Sequence, residues 1–446
     1  MVRRLAPLLT VLLLVSAACT GDASEATSTT GSTLPGQTTT TVDGETTTSS
    51  SGSPTTTIEM PPITAPDLSG LEGVSDEVKA QIAELLLEAQ EVRGLPFLST
   101  PTITALSDEE FEARIRTLLD EDIEDLPADE ALYKMLGLLA EPADLSTILD
   151  DLYGEQAYGY YDGEAGEIVV RAREDRLTQV QRTTVFHELV HALTDQHFNQ
   201  SENWRELIDA GKLDQARAYQ AMFEGDASWA EVLWIRTLPQ QEVGELLAEM
   251  LQIETPVLNT APRFLRETLI FPYDAGLSFA QDLYVGANGW DALNDAYVSM
   301  PGLPGSTEQI ITPEDYTRDL PVQVEIPEIS VPGYELERTS VWGEEGFRVM
   351  LNQGTGVETM AEAADGWGGD SYHQWFDGED AALLIVYEGD TTGDVAELEQ
   401  ALLAFATDSF PEDNFAWVEL LDGDLYFIAA DVPTVGEQIR AAAGLD

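Results

Sequence analysis

Through most of the chain apolar side chains recur every three or four residues. Strict alternation is confined to a few short segments, so the pattern predicts a mainly helical protein with strands in restricted places. In 75–93, Ile82, Leu85, Leu86 and Ala89 share one helical face behind the capping candidates Ser75 and Asp76. PTITAL at 101–106 reads as a short strand, followed by helical stretches at about 107–123 and 129–140. At 157–171, aromatic and β-branched residues flank Asp162-Gly163 and Gly166, the signature of a hairpin. Helical spacing then runs over about 178–198, 214–238 and much of 256–300, with a break at Gly289-Trp290. Residues 301–333 are rich in proline and read as a connector. Beyond them come a helix within 341–364, strands on either side of Asp377-Gly378, a helix near 393–408, strands at 415–420 and 424–430, and a last helix from 433. The predicted class is α+β: a helical core with an upstream hairpin and a C-terminal ββαββα layer.

The N-terminal end follows another pattern. Arg3 and Arg4 precede an uncharged run over 5–18, and Ser16, Ala17 and Ala18 lead into Cys19, the single cysteine. The run is shorter than the ~20 residues of a spanning helix, which favours an export signal over a membrane anchor. The cysteine resembles that of a bacterial lipobox, which implies a chain lipidated at Cys19 and held on the outer face of the cytoplasmic membrane. Residues 20–66 are dominated by Thr, Ser and Gly and predict a disordered tether. The expected organisation is a signal over 1–19, the tether over 20–66, a helical catalytic domain over 67–320 and an α/β subdomain over 321–446.

Charge narrows the partners. With 82 acidic against 21 basic side chains the formal net charge is −61, which repels nucleic-acid phosphates, so no nucleic-acid partner is expected. One cysteine excludes an intrachain disulfide and any multi-cysteine metal site.

The helix over 178–198 contains His187-Glu188-Leu189-Val190-His191, the HExxH pattern, although the chain has only four histidines. His187 and His191 lie one turn apart on one face and can share a zinc ion, Zn2+. Glu188 beside them can take a proton from a metal-bound water. Two residues compete for the third ligand position. His197 has the spacing of the HExxHxxGxxH metzincins, but the glycine that bends their helix is Thr194 here. On a straight helix His197 points about 120° away from His191. Glu224 lies on the next helix beside small residues that allow close approach, and Glu231 is a weaker alternative there. Asp195, four residues after His191, can orient a ligand imidazole or the following helix.

HELVHALTDQHF at 187–198 followed by EGDA at 224–227 resembles the gluzincin zinc metallopeptidases, and more closely a group of bacterial HExxH lipoproteins of that clan. The resemblance extends loosely through 271–273, STEQI at 306–310 and 366–370. It implies a zincin-like fold over 67–320, a glutamate as third zinc ligand, here Glu224, and hydrolysis of peptide or protein substrates. Tyr273, Tyr316 and His373 are the candidates for stabilising the oxyanion. Two other expectations stand beside this one. The first is a non-proteolytic envelope protein in which zinc staples two helices, and the second is a metzincin-like peptidase using His197.

Overall fold

The computed structural model describes residues 74–120, 126–171, 176–298, 302–353, 358–408, 410–411 and 413–445. The export signal, Cys19 and the tether lie outside the described residues.

Helix α1 (Asp76–Arg93) begins where the Ser75 hydroxyl accepts the Val78 N–H and ends at Gly94, whose φ of 73° only glycine adopts cheaply. Its buried face carries the predicted Ile82, Leu85, Leu86 and Ala89. A three-stranded sheet of β1 (Thr102–Leu106), β2 (Gly159–Asp162) and β3 (Glu167–Arg171) follows, in the order β1-β3-β2. β2 and β3 form the expected hairpin, and β1 runs parallel to β3. Parallel strands need a long crossover, and α2 (Asp108–Asp120), α3 (Leu126–Met135) and α4 (Leu145–Gln156) lie within it. α3 stops short of the predicted residue 140 because Gly137 turns with φ 71°. α4 is an addition to the predicted elements, capped by Asp144.

The central helix α5 (Gln179–Phe198) opens with a capping box between Thr178 and Gln181. Nearly all of it is buried from Gln179 to Thr194, so its polar side chains need internal partners. Thr183, Thr184 and Thr194 donate to the carbonyls four residues back. α6 (Gln200–Asp209) leads to α7 (Leu213–Ile235), and α8 (Gln240–Met250), α9 (Pro256–Thr260), α10 (Arg263–Ala287), α11 (Asp291–Val298) and the single turn α12 (Glu308–Ile311) complete this half. α10 contains Pro272, which removes the donor that the Thr268 carbonyl would otherwise receive. The Arg217 guanidinium of α7 donates to that carbonyl instead. Between the same helices Gly225 meets Gly276 so closely that a Cβ on Gly225 would lie 1.9 Å from the Gly276 carbonyl oxygen.

The C-terminal part is a five-stranded antiparallel sheet of β4 (Glu335–Ser340), β5 (Trp367–Phe376), β6 (Ala381–Gly389), β7 (Phe415–Leu421) and β8 (Asp424–Ala430), in the order β4-β5-β6-β8-β7. α13 (Gly343–Leu351) and α14 (Glu358–Ala361) lie between β4 and β5, α15 (Thr392–Asp408) between β6 and β7, and α16 (Pro433–Ala442) ends the chain. The predicted ββαββα order is present, with β4 as an added edge strand. Alternation sends Leu383, Ile385 and Phe427 to one face, and Leu384, Val386 and Ile428 to the other, where α16 packs with Val435 and Ile439. The first face shares a core with α15 and also with Leu132, Met135 and Leu149 of α3 and α4. Arg338 of β4 pairs with the buried Asp129 of α3 at 2.7 Å. One apolar core therefore joins residues of both halves of the sequence. Among the described residues no helix is long and apolar enough to cross a membrane.

Candidate metal centre

α5 and α7 bring the two histidines and Glu224 to one point. Nε2 of His187 and Nε2 of His191 each lie 3.2 Å from Oε2 of Glu224. The imidazole centroids are 4.7 Å apart with planes inclined by 73°. All three side chains are buried, and each offers one donor atom within 4.8 Å of the other two. Ligands about 2.0 Å from a tetrahedral zinc ion stand about 3.3 Å apart, so the nitrogen–oxygen separations fit such an ion.

The outer partners of the two imidazoles differ. Glu231 places Oε2 3.3 Å from His187 Nδ1. The Gln200 amide stands 3.4 Å from His191 Nδ1, and its oxygen accepts the Thr194 hydroxyl at 2.6 Å. The Glu231 carboxylate can accept from Nδ1 of His187, the arrangement that leaves its Nε2 free for a metal, whereas Gln200 turns its amide nitrogen, a donor, toward His191 and does not impose that tautomer. Glu231, weighed as an alternative ligand, faces the far nitrogen of His187. It lies two turns after Glu224 on the same helix, so its spacing carried a signal for this role; Gln200 carried none.

Glu188 is 1% exposed, and its Oε1 has no hydrogen-bond partner. The backbone N–H of Tyr161, on β2, donates to its carboxylate. Burial pushes the Glu188 carboxyl up to about 8; His187 opposes the shift, while Glu224 and Glu231 add to it. Burial disfavours charge on His187, yet the hydrogen bonds to Glu224 and Glu231 outweigh it and raise the imidazole to about 10. Burial raises Glu224, but the two histidines hold it below the usual carboxylate range. Three buried glutamates around two imidazoles form a donor set that suits a cation.

The remaining sequence candidates fall in different places. His197 Nε2 lies 2.7 Å from the Pro96 carbonyl and is not part of the donor cluster. No bend forms at Thr194, and α5 stays helical through Phe198. Asp195 serves the next helix: it accepts the Ser201 N–H at 2.7 Å and the Tyr161 hydroxyl at 2.9 Å. Tyr273, on α10, stands 6.4 Å from His187 between ring centroids. Tyr316 donates to the Gly302 carbonyl and packs on Phe279. His373 lies on β5, bonded to Thr339 and edge-on to Trp375. Of the three oxyanion candidates, only Tyr273 adjoins the histidines.

The EGDA segment divides its work. Glu224 faces the histidines, and Ala227 packs with α5 residues such as Leu189 and Val190. Gly225 turns to α10 and not to α5, as the sequence had suggested, because the smallest gap on α7 is the one against Gly276. Asp226 pairs with Arg93, a link that no sequence pattern indicated. A cavity of about 400 Å³ lies between α10, α12 and α13, lined by Glu267, Phe271, Asp274 and Arg348, on the face of α10 away from Tyr273.

A family profile described as a domain of unknown function (DUF8575) matches residues 333–434, the segment that forms the five-stranded sheet. No curated protein and no solved structure matches the chain.

Proposed function

We propose that this chain is a zinc-dependent peptidase that acts outside the cytoplasm, with His187, His191 and Glu224 as metal ligands. The observation that carries the proposal is the buried donor triangle with Glu188 beside it, one of whose carboxylate oxygens has no partner. Zinc, when bound, supplies a Lewis acid that acidifies water and polarises the scissile carbonyl. Glu188 takes the proton from the attacking water at Oε1 and delivers it to the leaving amine. Glu231 accepts from Nδ1 of His187 and so orients that imidazole. Tyr273, whose ring lies 6.4 Å from that of His187, is the candidate to donate to the oxyanion. The site outside the cytoplasm rests on the sequence alone: Arg3, Arg4, the apolar run and Cys19.

Zinc content per chain and hydrolysis of an unstructured protein substrate, measured for the wild type and Glu188→Gln, test the proposal. About one zinc per chain in both proteins is expected, with hydrolysis reduced by roughly 10²–10⁴-fold in the variant. Full activity in Glu188→Gln, or no zinc in the wild type, overturns it.

A further inference from the structure

A second group of carboxylates lies where the two halves of the chain meet. Glu308 of α12, Asp319 of the connector and Asp390 at the turn between β6 and α15 each present an oxygen within 4.8 Å of the other two. Glu308 is only 4% exposed. No described residue donates a hydrogen bond to its carboxylate, and the charges facing it are Glu344, Asp390, Asp319 and Asp315, all acidic. Asp319 and Asp390 stand within hydrogen-bonding distance of each other. Arg348, on α13, is committed to Glu344 at 2.6 Å and to Asp365.

Glu308 is mostly buried and its carboxylate, still touched by water, has only acidic side chains around it, so the three carboxylates held together repel one another. Either a proton or a cation relieves such a group. The donors are all carboxylate oxygens, with no imidazole or thiolate, which selects a hard cation over zinc. Oxygens on opposite sides of a calcium ion stand about 4.6–5.2 Å apart, and the separations here do not exceed that. Asp319 is half-buried and Asp390 exposed, so water has access to complete the six to eight ligands that calcium takes.

We propose that Glu308, Asp319 and Asp390 form a calcium site that clamps the C-terminal layer to α12. The clamp reaches the metal centre through the residue beside Glu308. Thr307 donates its hydroxyl and its N–H to Asp214, at 2.6 and 3.1 Å, in the first turn of the helix that carries Glu224. The calcium site is separate from the zinc ligands and stands whether or not the chain is a peptidase.

The test is calcium-dependent thermal unfolding of the full mature chain, freed of divalent ions by dialysis and kept at constant, roughly physiological salt. A saturable rise in the midpoint is expected, with an apparent Kd of about 0.1–1 mM, in the range of extracellular calcium modules. Glu308→Gln and Asp390→Asn should each weaken the response about tenfold or more. Both variants remove a charge from a crowded acidic group, so they fold without calcium at least as well as the wild type. Glu224→Ala should keep the calcium response. A midpoint that ignores calcium overturns the site, and so does an equal response in the two carboxylate variants. Loss of the response in Glu224→Ala, or an equal effect of magnesium, does the same.

Discussion

The guanidinium of Arg93 meets both carboxylate oxygens of Asp226, at 2.7 and 3.0 Å, with neither side chain exposed to solvent. Asp226 lies two residues beyond Glu224, so this pair bolts α1 to the helix that presents the third donor. The Tyr297 hydroxyl and Asn294 complete the group from α11, and the Trp290 ring lies 4.4 Å from the guanidinium. Asp226→Ala leaves a buried, uncompensated cation and should cost about 3–5 kcal/mol of stability, measured by denaturant unfolding. Replacing both partners by Met and Leu should recover most of that loss. A cost for Asp226→Ala below about 1 kcal/mol would mean that the pair is not what holds α1.

Metal retention separates the two candidates for the third ligand. Glu224→Ala should lose zinc during dialysis, whereas His197→Ala, which changes a contact to the Pro96 carbonyl, should keep about one zinc per chain. The reverse pattern would favour a metzincin-like site.

Tyr273→Phe removes the hydroxyl of the tyrosine whose ring lies nearest His187 among the oxyanion candidates. Under the peptidase proposal kcat should fall by roughly 10²–10³-fold with KM and zinc content little changed, as for the loss of one oxyanion donor. The same substitution at Tyr316, whose hydroxyl binds the Gly302 carbonyl, should leave kcat within about twofold and affect stability alone.

Close packing of α7 on α10 gives a stability test. Gly225→Ala puts a methyl group against the Gly276 backbone and should cost at least about 1–3 kcal/mol. Gly244→Ala, in an exposed part of α8 with nothing within 4 Å of the new methyl, should stabilise by about 0.5–1 kcal/mol. Equal effects at the two positions would show that the helix contact is looser than described.

The pH dependence follows from two buried carboxyls near the start of α13. Burial pushes Asp214 up to about 7, only partly offset by its bonds from Thr307, and Asp370 up to about 6, partly offset by donors from Trp342, Gly343 and Trp367. A carboxyl raised in the folded state binds its proton more tightly there than in the unfolded chain. Its contribution is fully present below about pH 4, the unfolded value, and is lost as pH rises through 6 and 7. Chemical unfolding should therefore show greater stability at pH 5 than at pH 8, by on the order of 1–3 kcal/mol per group. Asp214→Asn should flatten the profile, and an unchanged profile would remove Asp214 from the explanation.

Much of this was legible in the sequence wherever the signal was local. α5 announced itself through its helical spacing and its paired histidines, and the hairpin through Asp162-Gly163. β4 escaped because ELERTS is a polar edge strand with no apolar alternation, and its Leu336 remains half exposed. α4 carries Leu145, Ile148, Leu149 and Leu152 at helical spacing behind Asp144, but the acidic residues around them mask its boundaries in the sequence. The Arg93–Asp226 pair and the Glu308 group join positions far apart in a chain with 82 acids, where no spacing rule singles them out. Glu188 was identified from its motif, but the Tyr161 N–H that binds it comes from a strand whose placement only the tertiary fold decides.

The shared interior of α3, α4 and the C-terminal sheet fixes an order of assembly. Leu132, Met135 and Leu149 pack with Leu383, Ile385 and Phe427, more than two hundred residues later. During synthesis or export these helices can pack on Phe111, Tyr160 and Val169, but their face toward the sheet stays uncovered until the last strands have emerged, so this core is complete only then. A fragment cut at residue 320 would contain every proposed zinc ligand and yet expose this face to water. Such a fragment is expected to aggregate, which makes the C-terminal sheet part of the folding unit of the metal centre.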